Sequence, residues 1–196
     1  MELKLAVRQQ IFDRIEDPVV LDLYCGTGVM YKHLWYKALG YLGTDKNNPH
    51  DLAKTIKISA EQAVANLPLE KFNIFDVDCY STPWIVARRL LRKVHPGYFG
   101  LIMTSGEYRG LQNSNSNEII RTTLGVSHFS DLRLLGRYHK LINKLMIKSM
   151  LEIPGIESRY GVIAYTNRNI CYIGLALNKI KVYNIINSLD RKRESR

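Results

Sequence analysis

The sequence contains few cysteines, and none of them belongs to a paired motif. The 196 residues include three, Cys25, Cys79 and Cys171. Their odd number and wide spacing argue against a disulfide framework, and the absence of a Cys-x-x-Cys pair argues against a structural zinc site. We therefore expect reduced thiols, as in a cytoplasmic protein, and no bound metal.

Long apolar runs are also missing. No stretch approaches the roughly 18 residues that a membrane-spanning helix needs. Residues 1–17 carry charges throughout, and they lack the apolar centre of a signal peptide. These two observations predict a soluble protein without a membrane partner.

Acidic residues are scarce relative to basic ones. Lys and Arg total 28 against 18 Asp and Glu, which gives a net charge of +10. This excess favours a polyanionic partner, nucleic acid before membrane, and a solvated basic surface is the alternative. A hydrophobic content of 46% indicates a globular chain, and the length predicts one domain over residues 1–196.

Apolar patterning alternates between strands and helices through the first half of the chain. Helices are predicted at 3–15, 29–39, 60–67 and 85–94, and strands at 19–23, 41–44, 55–58, 73–77 and 99–104. This alternation predicts an α/β fold, in which a mostly parallel sheet carries helices on both faces. Gly40 is predicted to close the second helix at its C′ position.

The second half of the chain follows a different pattern. A variable, polar segment covers residues 106–136, and a long helix is predicted at about 138–151. Strands at 161–165 and 170–177 are predicted to form a C-terminal antiparallel hairpin. A last helix and a basic tail at 190–196 complete the chain.

A glycine turn follows the first predicted strand. Asp22 ends the apolar run, and Gly26 and Gly28 precede the next helix. Such glycines let the backbone approach a ligand closely, and a helix N-terminus offers N–H groups to an anion. The turn therefore predicts a cofactor site. A nicotinamide cofactor is disfavoured, because Tyr31 occupies the position where the dinucleotide fingerprint needs Gly or Ala.

The stretch Leu21 to Gly28 resembles the glycine-rich first motif of class I S-adenosylmethionine-dependent methyltransferases, which have a Rossmann-like fold. Asp45, 23 residues after Asp22, is similar to the family's ribose-binding acid at the end of the second strand. The resemblance implies that S-adenosyl-L-methionine is the cofactor and that the chain is an enzyme. It implies a methionine end held at the glycine turn, a ribose at the second strand and an adenine near Ala60. The implied cofactor-binding residues are Asp22, Tyr24, Gly26, Gly28, Asp45 and Glu61.

The loop after the fourth strand is the implied substrate side. Residues 76–83, Asp-Val-Asp-Cys-Tyr-Ser-Thr-Pro, resemble the Asp-x-Asp-Pro-Phe/Tyr-Gly-Ser-Pro segment of tRNA guanine-N2 dimethyltransferases. Cys79 replaces a proline of that segment and Ser81 a glycine. The resemblance implies methylation of an exocyclic amine on a nucleic-acid base, RNA before DNA, with the base splayed or flipped out. The implied catalytic residues are Asp78, Tyr80, Ser81 and Pro83.

Several alternatives remain open at this stage. Cys79 suggests covalent methylation of a pyrimidine at C5, but the adjacent acid disfavours a thiolate and no second cysteine follows the fifth strand. An alternative interpretation of Asp22 is a residue that bonds to the loop amides rather than to the ligand, and one of Asp76 is a residue at a polar edge of the sheet. Trp84 is interpreted as core rather than as a stacking platform, and Cys25 and Cys171 as small core residues. The chain is alternatively a catalytically silent nucleic-acid-binding subunit, or it methylates a protein or small molecule.

Basic residues recur at helical spacing in two predicted helices. Each stripe by itself also fits a solvated helix face, but with the net charge they favour a nucleic-acid partner. The variable segment is the predicted reader of a specific site, through Tyr108, Arg109 and Arg121. The basic residues are Arg88, Arg89, Arg92 and Lys93, followed by Lys140, Lys144 and Lys148, which are predicted to lie opposite Leu141, Leu145 and Met146.

Overall fold

The computed structural model describes residues 1–47, 49, 51–79, 82–106, 139–166 and 170–180. Within these ranges the chain forms seven strands and five α-helices. The strands are β1 (Val19–Asp22), β2 (Gly40–Thr44), β3 (Thr55–Ile56), β4 (Ile74–Val77), β5 (Gly97–Ser105), β6 (Ile156–Tyr165) and β7 (Cys171–Lys179). The helices are α1 (Glu2–Phe12), α2 (Val29–His33), α3 (Ala60–Asn66), α4 (Trp84–Lys93) and α5 (His139–Leu151), with short 3₁₀ turns at Trp35–Lys37 and Leu69–Lys71.

All seven strands belong to one sheet in the order β3-β2-β1-β4-β5-β7-β6. Strands β1 to β5 pair in parallel, and β7 runs antiparallel to both β5 and β6. The predicted α/β fold with a mostly parallel sheet and a C-terminal antiparallel hairpin is therefore confirmed. The direction of strand succession reverses between β1 and β4, and ligands of open α/β sheets bind beyond the carboxyl ends of the strands at such a point.

The sheet is covered on both faces. Helices α3, α4 and α5 pack on one face, where Trp84 and Leu90 are fully buried. Helix α1 and the segment after α2 cover the other face, where Ile11 and Trp35 are fully buried. Trp84 is therefore a core residue, as the sequence predicts.

Two glycines let α1 lie unusually close to the sheet. A Cβ added to Gly100 of β5 would stand 2.5 Å from Cγ2 of Ile11, and one added to Gly174 of β7 would stand 2.7 Å from its Cγ1. Both separations are too short for real carbon atoms, so a side chain at either position would push the helix outward. The glycines thereby set the distance between α1 and the sheet.

The predicted helix at 29–39 is wrong in its second half. Helix α2 ends at His33, because Leu34 leaves helical geometry with φ −142° before the 3₁₀ turn. Leu34 and Trp35, at the break, are both fully buried. Gly40 is the first residue of β2 rather than a C′ residue.

Other boundaries differ in length. Strand β3 has two residues instead of four, whereas β6 begins at Ile156, five residues before the predicted start. The variable segment beyond residue 106, with Tyr108, Arg109 and Arg121, lies outside the described residues, as does the tail at 190–196. In the part of the chain that the structure describes, no helix has the length and apolarity to cross a bilayer.

Candidate functional site

A cavity of about 600 Å³ opens at the carboxyl ends of β1, β2 and β4. It brings together most of the residues that the sequence predicts for a cofactor site. Gly28 and Pro83 are not among the lining residues, and Tyr80 and Ser81 lie outside the described residues. The lining residues are Met1, Lys4, Asp22, Leu23, Tyr24, Cys25, Gly26, Thr27, Val29, Met30, Asp45, Lys46, Asn47, Ser59, Ala60, Glu61, Asp78 and Cys79.

Backbone hydrogen bonds extend the sheet into the turn after β1. The N–H of Leu23 donates to the carbonyl of Asp76 at 2.9 Å, and the N–H of Cys25 donates to the carbonyl of Thr44 at 3.0 Å. The turn then requires positive φ at Gly26 (46°) and Gly28 (76°), which other residues adopt only with strain. Gly28 therefore shapes the turn, whereas Gly26 also lines the cavity.

Asp45 and Glu61 approach the cavity from β2 and α3. Asp45 follows the last residue of β2, and its Oδ1 accepts from the N–H of Asn47 at 2.8 Å. Glu61 lies in the first turn of α3, which a capping box begins: the Ser59 hydroxyl accepts from the Gln62 N–H, and the Gln62 side chain accepts from the Ser59 N–H. The Ser-x-x-Gln pattern was visible in the sequence and is a signature of a helix start.

Asp76 is the centre of a buried ion pair that the sequence interpretation missed. Arg8 of α1 donates from Nε to Asp76 Oδ2 and from Nη2 to Oδ1, both at 2.8 Å, and both side chains are fully buried. Trp35 Nε1 donates to Oδ2 at 3.2 Å. Burial alone would lower the pKa of Arg8, but the carboxylates of Asp76 and Asp78 outweigh it and raise that pKa. Asp76 thus faces the buried side of α1, not a polar edge of the sheet.

Asp78 is also tied to α1. Its Oδ1 accepts from Thr104 Oγ1 at 2.7 Å and lies 3.4 Å from Arg8 Nη2, while its Oδ2 forms a salt bridge with Lys4. Burial by itself would raise the pKa of Asp78, but Arg8 and Lys4 together lower it. The carboxylate is therefore ionised, and its side chain keeps 14% exposure at the cavity.

Lys4 and Arg8 were absent from the predicted site, although the sequence contains a signal for them. They stand four residues apart on α1, so they share one face of that helix. The neighbouring Val7 and Ile11 are buried on the sheet, which directs the basic side chains toward it as well. Two cations on the inner face of an amphipathic helix need buried anionic partners, and β4 supplies them.

Asp22 lies beside this network without a basic partner of its own among the hydrogen bonds of the described residues. It is 1% exposed; Tyr41 Oη donates to its Oδ2 at 3.2 Å, and the Tyr24 N–H donates to Oδ1 at 3.4 Å. Burial first, and then repulsion from Asp76 and Asp78, raises the pKa of Asp22 well above its ordinary range. Asp22 therefore does bond to one loop amide, that of Tyr24, as the alternative interpretation expects. It also lines the cavity.

The remaining candidates around the β4 loop are buried. Cys79 is 4% exposed, and its Sγ lies 3.7 Å from the carbonyl oxygen of Thr104. Pro83 is buried at the N-cap of α4. Cys25 and Cys171 are buried, as predicted for core residues, although Cys25 also lines the cavity.

The predicted basic residues lie on two helices that pack against each other. On α4, Arg89, Arg92 and Lys93 are exposed and Arg88 is half-buried. On α5, Lys140, Lys144 and Lys148 are all exposed. We call these seven residues the basic face.

The orientation of α5 corrects one prediction. Leu141 and Leu145 do not lie on the buried side opposite the lysines; they are 50% and 38% exposed. The sheet side of α5 is instead formed by Ile142, Met146 and Met150. The period of 3.6 residues explains the error, because leucine and lysine occupy successive positions and cannot stand on opposite faces.

The raised pKa of Asp22 predicts a specific dependence of stability on pH. Its folded pKa lies above the unfolded value, so the folded state binds this proton more tightly and its contribution to stability is complete below about pH 4. That contribution is lost as the pH rises toward the folded pKa, by up to about 1.4 kcal/mol per pH unit. Asp22→Asn is therefore expected to unfold at higher temperature than the wild type at pH 8, with a smaller difference at pH 4.

Thermal denaturation from pH 4 to pH 9 measures this difference. The matched control is Asp51→Asn, an exposed aspartate that does not line the cavity. Curves of Asp22→Asn and wild type that ran parallel over the whole range would contradict the electrostatic account of Asp22.

Solved structures with a similar fold are methyltransferases in several cases. NodS, an N-methyltransferase from Bradyrhizobium japonicum WM9, is similar with a TM-score of 0.54 at 9% identity, over 91% of this chain and 96% of NodS. A second NodS structure, in complex with S-adenosyl-L-homocysteine, has a TM-score of 0.52 at 10% identity, over 90% and 86%. The E. cuniculi Mtq2–Trm112 complex, responsible for methylation of the termination factor eRF1, gives 0.53 at 13% identity, over 91% and 94%.

No protein-family model matches the sequence. No curated protein matches it significantly. The similarity to solved structures at this level of identity concerns the fold. Together with the strand order, it identifies the Rossmann-like methyltransferase fold in this chain.

Proposed function

We propose that the protein is an S-adenosyl-L-methionine-dependent methyltransferase that binds the methyl donor in the cavity at the carboxyl ends of β1, β2 and β4. The observation that carries this proposal is the composition of that single cavity. It combines Gly26 of the turn, the acids Asp45 and Glu61, and Asp78 of the substrate loop, in the fold of methyltransferases. Its volume is in the range of sites that bury most of a small ligand.

The charges of the cavity fit the amino-acid end of the donor. Asp22, Asp76 and Asp78 are three neighbouring carboxylates, and α1 supplies two cations to them. Asp22 is the one of the three for which the described residues provide no salt bridge, so the donor's ammonium group would suit it and would lower the cost of ionising that carboxylate. Gly26 allows close approach of the backbone to the same end.

Asp45 and Glu61 are assigned to the adenosine end. Two carboxylate oxygens at the end of β2 can accept hydrogen bonds from the two ribose hydroxyls. Glu61 and the backbone near Ala60 line the cavity beyond that point, where the adenine would lie. When bound, the donor supplies an electrophilic methyl group on its sulfonium.

Asp78 is assigned to the methyl acceptor, which we propose to be an exocyclic amine of a nucleic-acid base, in RNA before DNA. Because its pKa is lowered, Asp78 is a weak base, so its role is to accept an N–H hydrogen bond and orient the nitrogen lone pair. Tyr80, Ser81 and Pro83 complete this assignment through the resemblance of the loop. The basic face would hold the phosphates of the same partner.

A second candidate function has its own support. Both carboxylate oxygens of Asp78 already have partners. Thr104 and Arg8 contact Oδ1, and Lys4 contacts Oδ2. A carboxylate held in this way also suits a catalytically silent member of the fold that binds nucleic acid as a subunit. Such a protein would bind RNA without transferring a methyl group from labelled donor.

The ribose assignment predicts a loss of donor affinity in Asp45→Ala. Losing charged hydrogen bonds, at about 1.5–3 kcal/mol each, is expected to weaken binding of S-adenosyl-L-homocysteine by 10-fold or more. Isothermal titration calorimetry measures this change. Asp51→Ala is the control, because Asp51 is an exposed aspartate of the following loop that does not line the cavity. A wild-type protein that failed to bind at high micromolar ligand would refute the proposed function.

The acceptor assignment predicts separate effects on binding and transfer in Asp78→Asn. The variant keeps the shape of the side chain but loses the charge that orients the amine, so methyl transfer to RNA is expected to fall at least 100-fold, whereas binding of S-adenosyl-L-homocysteine is not weakened. Incorporation of labelled methyl groups from the donor into RNA, DNA and protein fractions measures this effect. A variant as active as the wild type would rule out the assignment of Asp78.

The basic face predicts a salt-dependent interaction with RNA. Replacing Lys140, Lys144 and Lys148 by Gln removes three exposed cations, so the slope of log affinity against log salt is expected to fall by up to about 2–3. Fluorescence anisotropy with labelled RNA at several salt concentrations measures the slope. The control replaces Lys37, Lys54 and Lys57, which are also exposed, by Gln and loses the same net charge. Equal slopes in the two triple variants would show that α5 is not the RNA-binding surface.

A further inference from the structure

Lys4 of α1 lines the cavity and contacts Asp78 there. Its side chain is 22% exposed, it lines the cavity with Met1, and it pairs with Asp78 Oδ2. The cavity-lining residues that the structure describes include four acids but only two bases, Lys4 and Lys46. Lys46 follows Asp45 at the end of β2, whereas Lys4 is the lining lysine that pairs with Asp78.

The donor's amino-acid end carries a carboxylate as well as an ammonium group. A carboxylate placed near Asp78 meets an ionised acid in a partly desolvated cavity, where like charges repel more strongly than in water. A cation is needed to offset this repulsion. Arg8 cannot supply it, because its guanidinium is fully buried and bidentate to Asp76.

We propose that Lys4 exchanges partners when the donor binds, moving from Asp78 Oδ2 to the donor's carboxylate. This inference rests on the proposed function and deepens it. The exchange leaves Asp78 in position, because Thr104 and Arg8 still hold Oδ1. It releases Oδ2, which becomes available to the amine of the methyl acceptor.

The exchange has a consequence for the order of binding. Before the donor binds, Lys4 competes with the acceptor amine for Asp78. After the donor binds, that competition is removed, so the donor raises the affinity of Asp78 for the acceptor. By linkage, the acceptor raises the affinity for the donor by the same factor. Lys4 thus binds the donor and also controls whether Asp78 Oδ2 is available to the acceptor.

Calorimetric titration with two donors isolates the role of Lys4. The probes are S-adenosyl-L-methionine and its decarboxylated analogue, which keeps the amine and the sulfonium but lacks the carboxylate. Lys4→Met is expected to weaken binding of S-adenosyl-L-methionine by 10-fold or more without weakening the analogue. Lys4→Arg keeps the charge and is expected to retain most of the affinity, and Lys57→Met is the control at an exposed lysine outside the cavity.

A double-mutant cycle with Asp78→Asn tests the exchange itself. If Lys4 must leave Asp78, then Asp78→Asn tightens binding of S-adenosyl-L-homocysteine several-fold in the wild-type background and not in the Lys4→Met background. Equal tightening in both backgrounds would mean simple repulsion from Asp78 and would overturn the exchange. Lys4→Gln replaces Lys4→Met in the cycle if thermal denaturation shows that the latter is unfolded.

The failure of this inference is distinguishable from failure of the proposed function. A wild-type protein that binds neither donor refutes the proposed function. A wild-type protein that binds both donors, together with a Lys4→Met variant that loses both equally or neither, overturns the role of Lys4 alone.

Discussion

The buried ion pair between Arg8 and Asp76 is the interaction on which the site depends. Two fully buried charges are costly to desolvate, and breaking such a pair by removing one partner costs about 3–5 kcal/mol, since the other charge stays buried alone. The pair therefore ties α1 to β4 at one position. Ile11 packs against Gly100 and Gly174 one turn farther along, which fixes the closeness of the contact. The helix thus reaches the strand ends at which the cavity opens.

This constraint distributes the charges of the site. Once Arg8 is committed to Asp76, Asp78 relies on Lys4 and Thr104 for its remaining partners among the described residues. Within the same ranges, Asp22 receives hydrogen bonds from a phenol and a backbone N–H. Helix α1, which stabilises the fold, thereby makes Asp78 easy to ionise and leaves Asp22 difficult to ionise. Such a separation of neighbouring carboxyl groups is typical of functional sites, although structural networks also produce it.

The sequence predicts the fold and the outline of the cavity because both depend on local patterns. Buried strands followed by Asp22 and Asp45, and the glycines between them, are readable as residue type and spacing. The partners of Asp76 and Asp78 were not predicted, since Arg8 is 68 residues from Asp76 along the chain and only tertiary packing brings them together. The helix break after His33 was missed because residues 29–39 contain no Pro or Gly that would mark it. The exposure of Leu141, by contrast, follows from helical geometry and could have been predicted.

The electrostatics of the cavity and of the basic face differ in sign, and this difference bears on the proposed acceptor. The chain has a net charge of +10, yet the cavity is lined by Asp22, Asp45, Glu61 and Asp78 against two lysines. A polyanion is attracted to the protein as a whole, but its phosphates are repelled from the cavity. A base is uncharged, so it can leave the stack and enter where the backbone cannot. The donor's sulfonium and ammonium groups, being cationic, are favoured in that same acidic cavity. If the acceptor is the nucleic acid that we propose, these opposite signs favour a base at Asp78 and a phosphate backbone on α4 and α5.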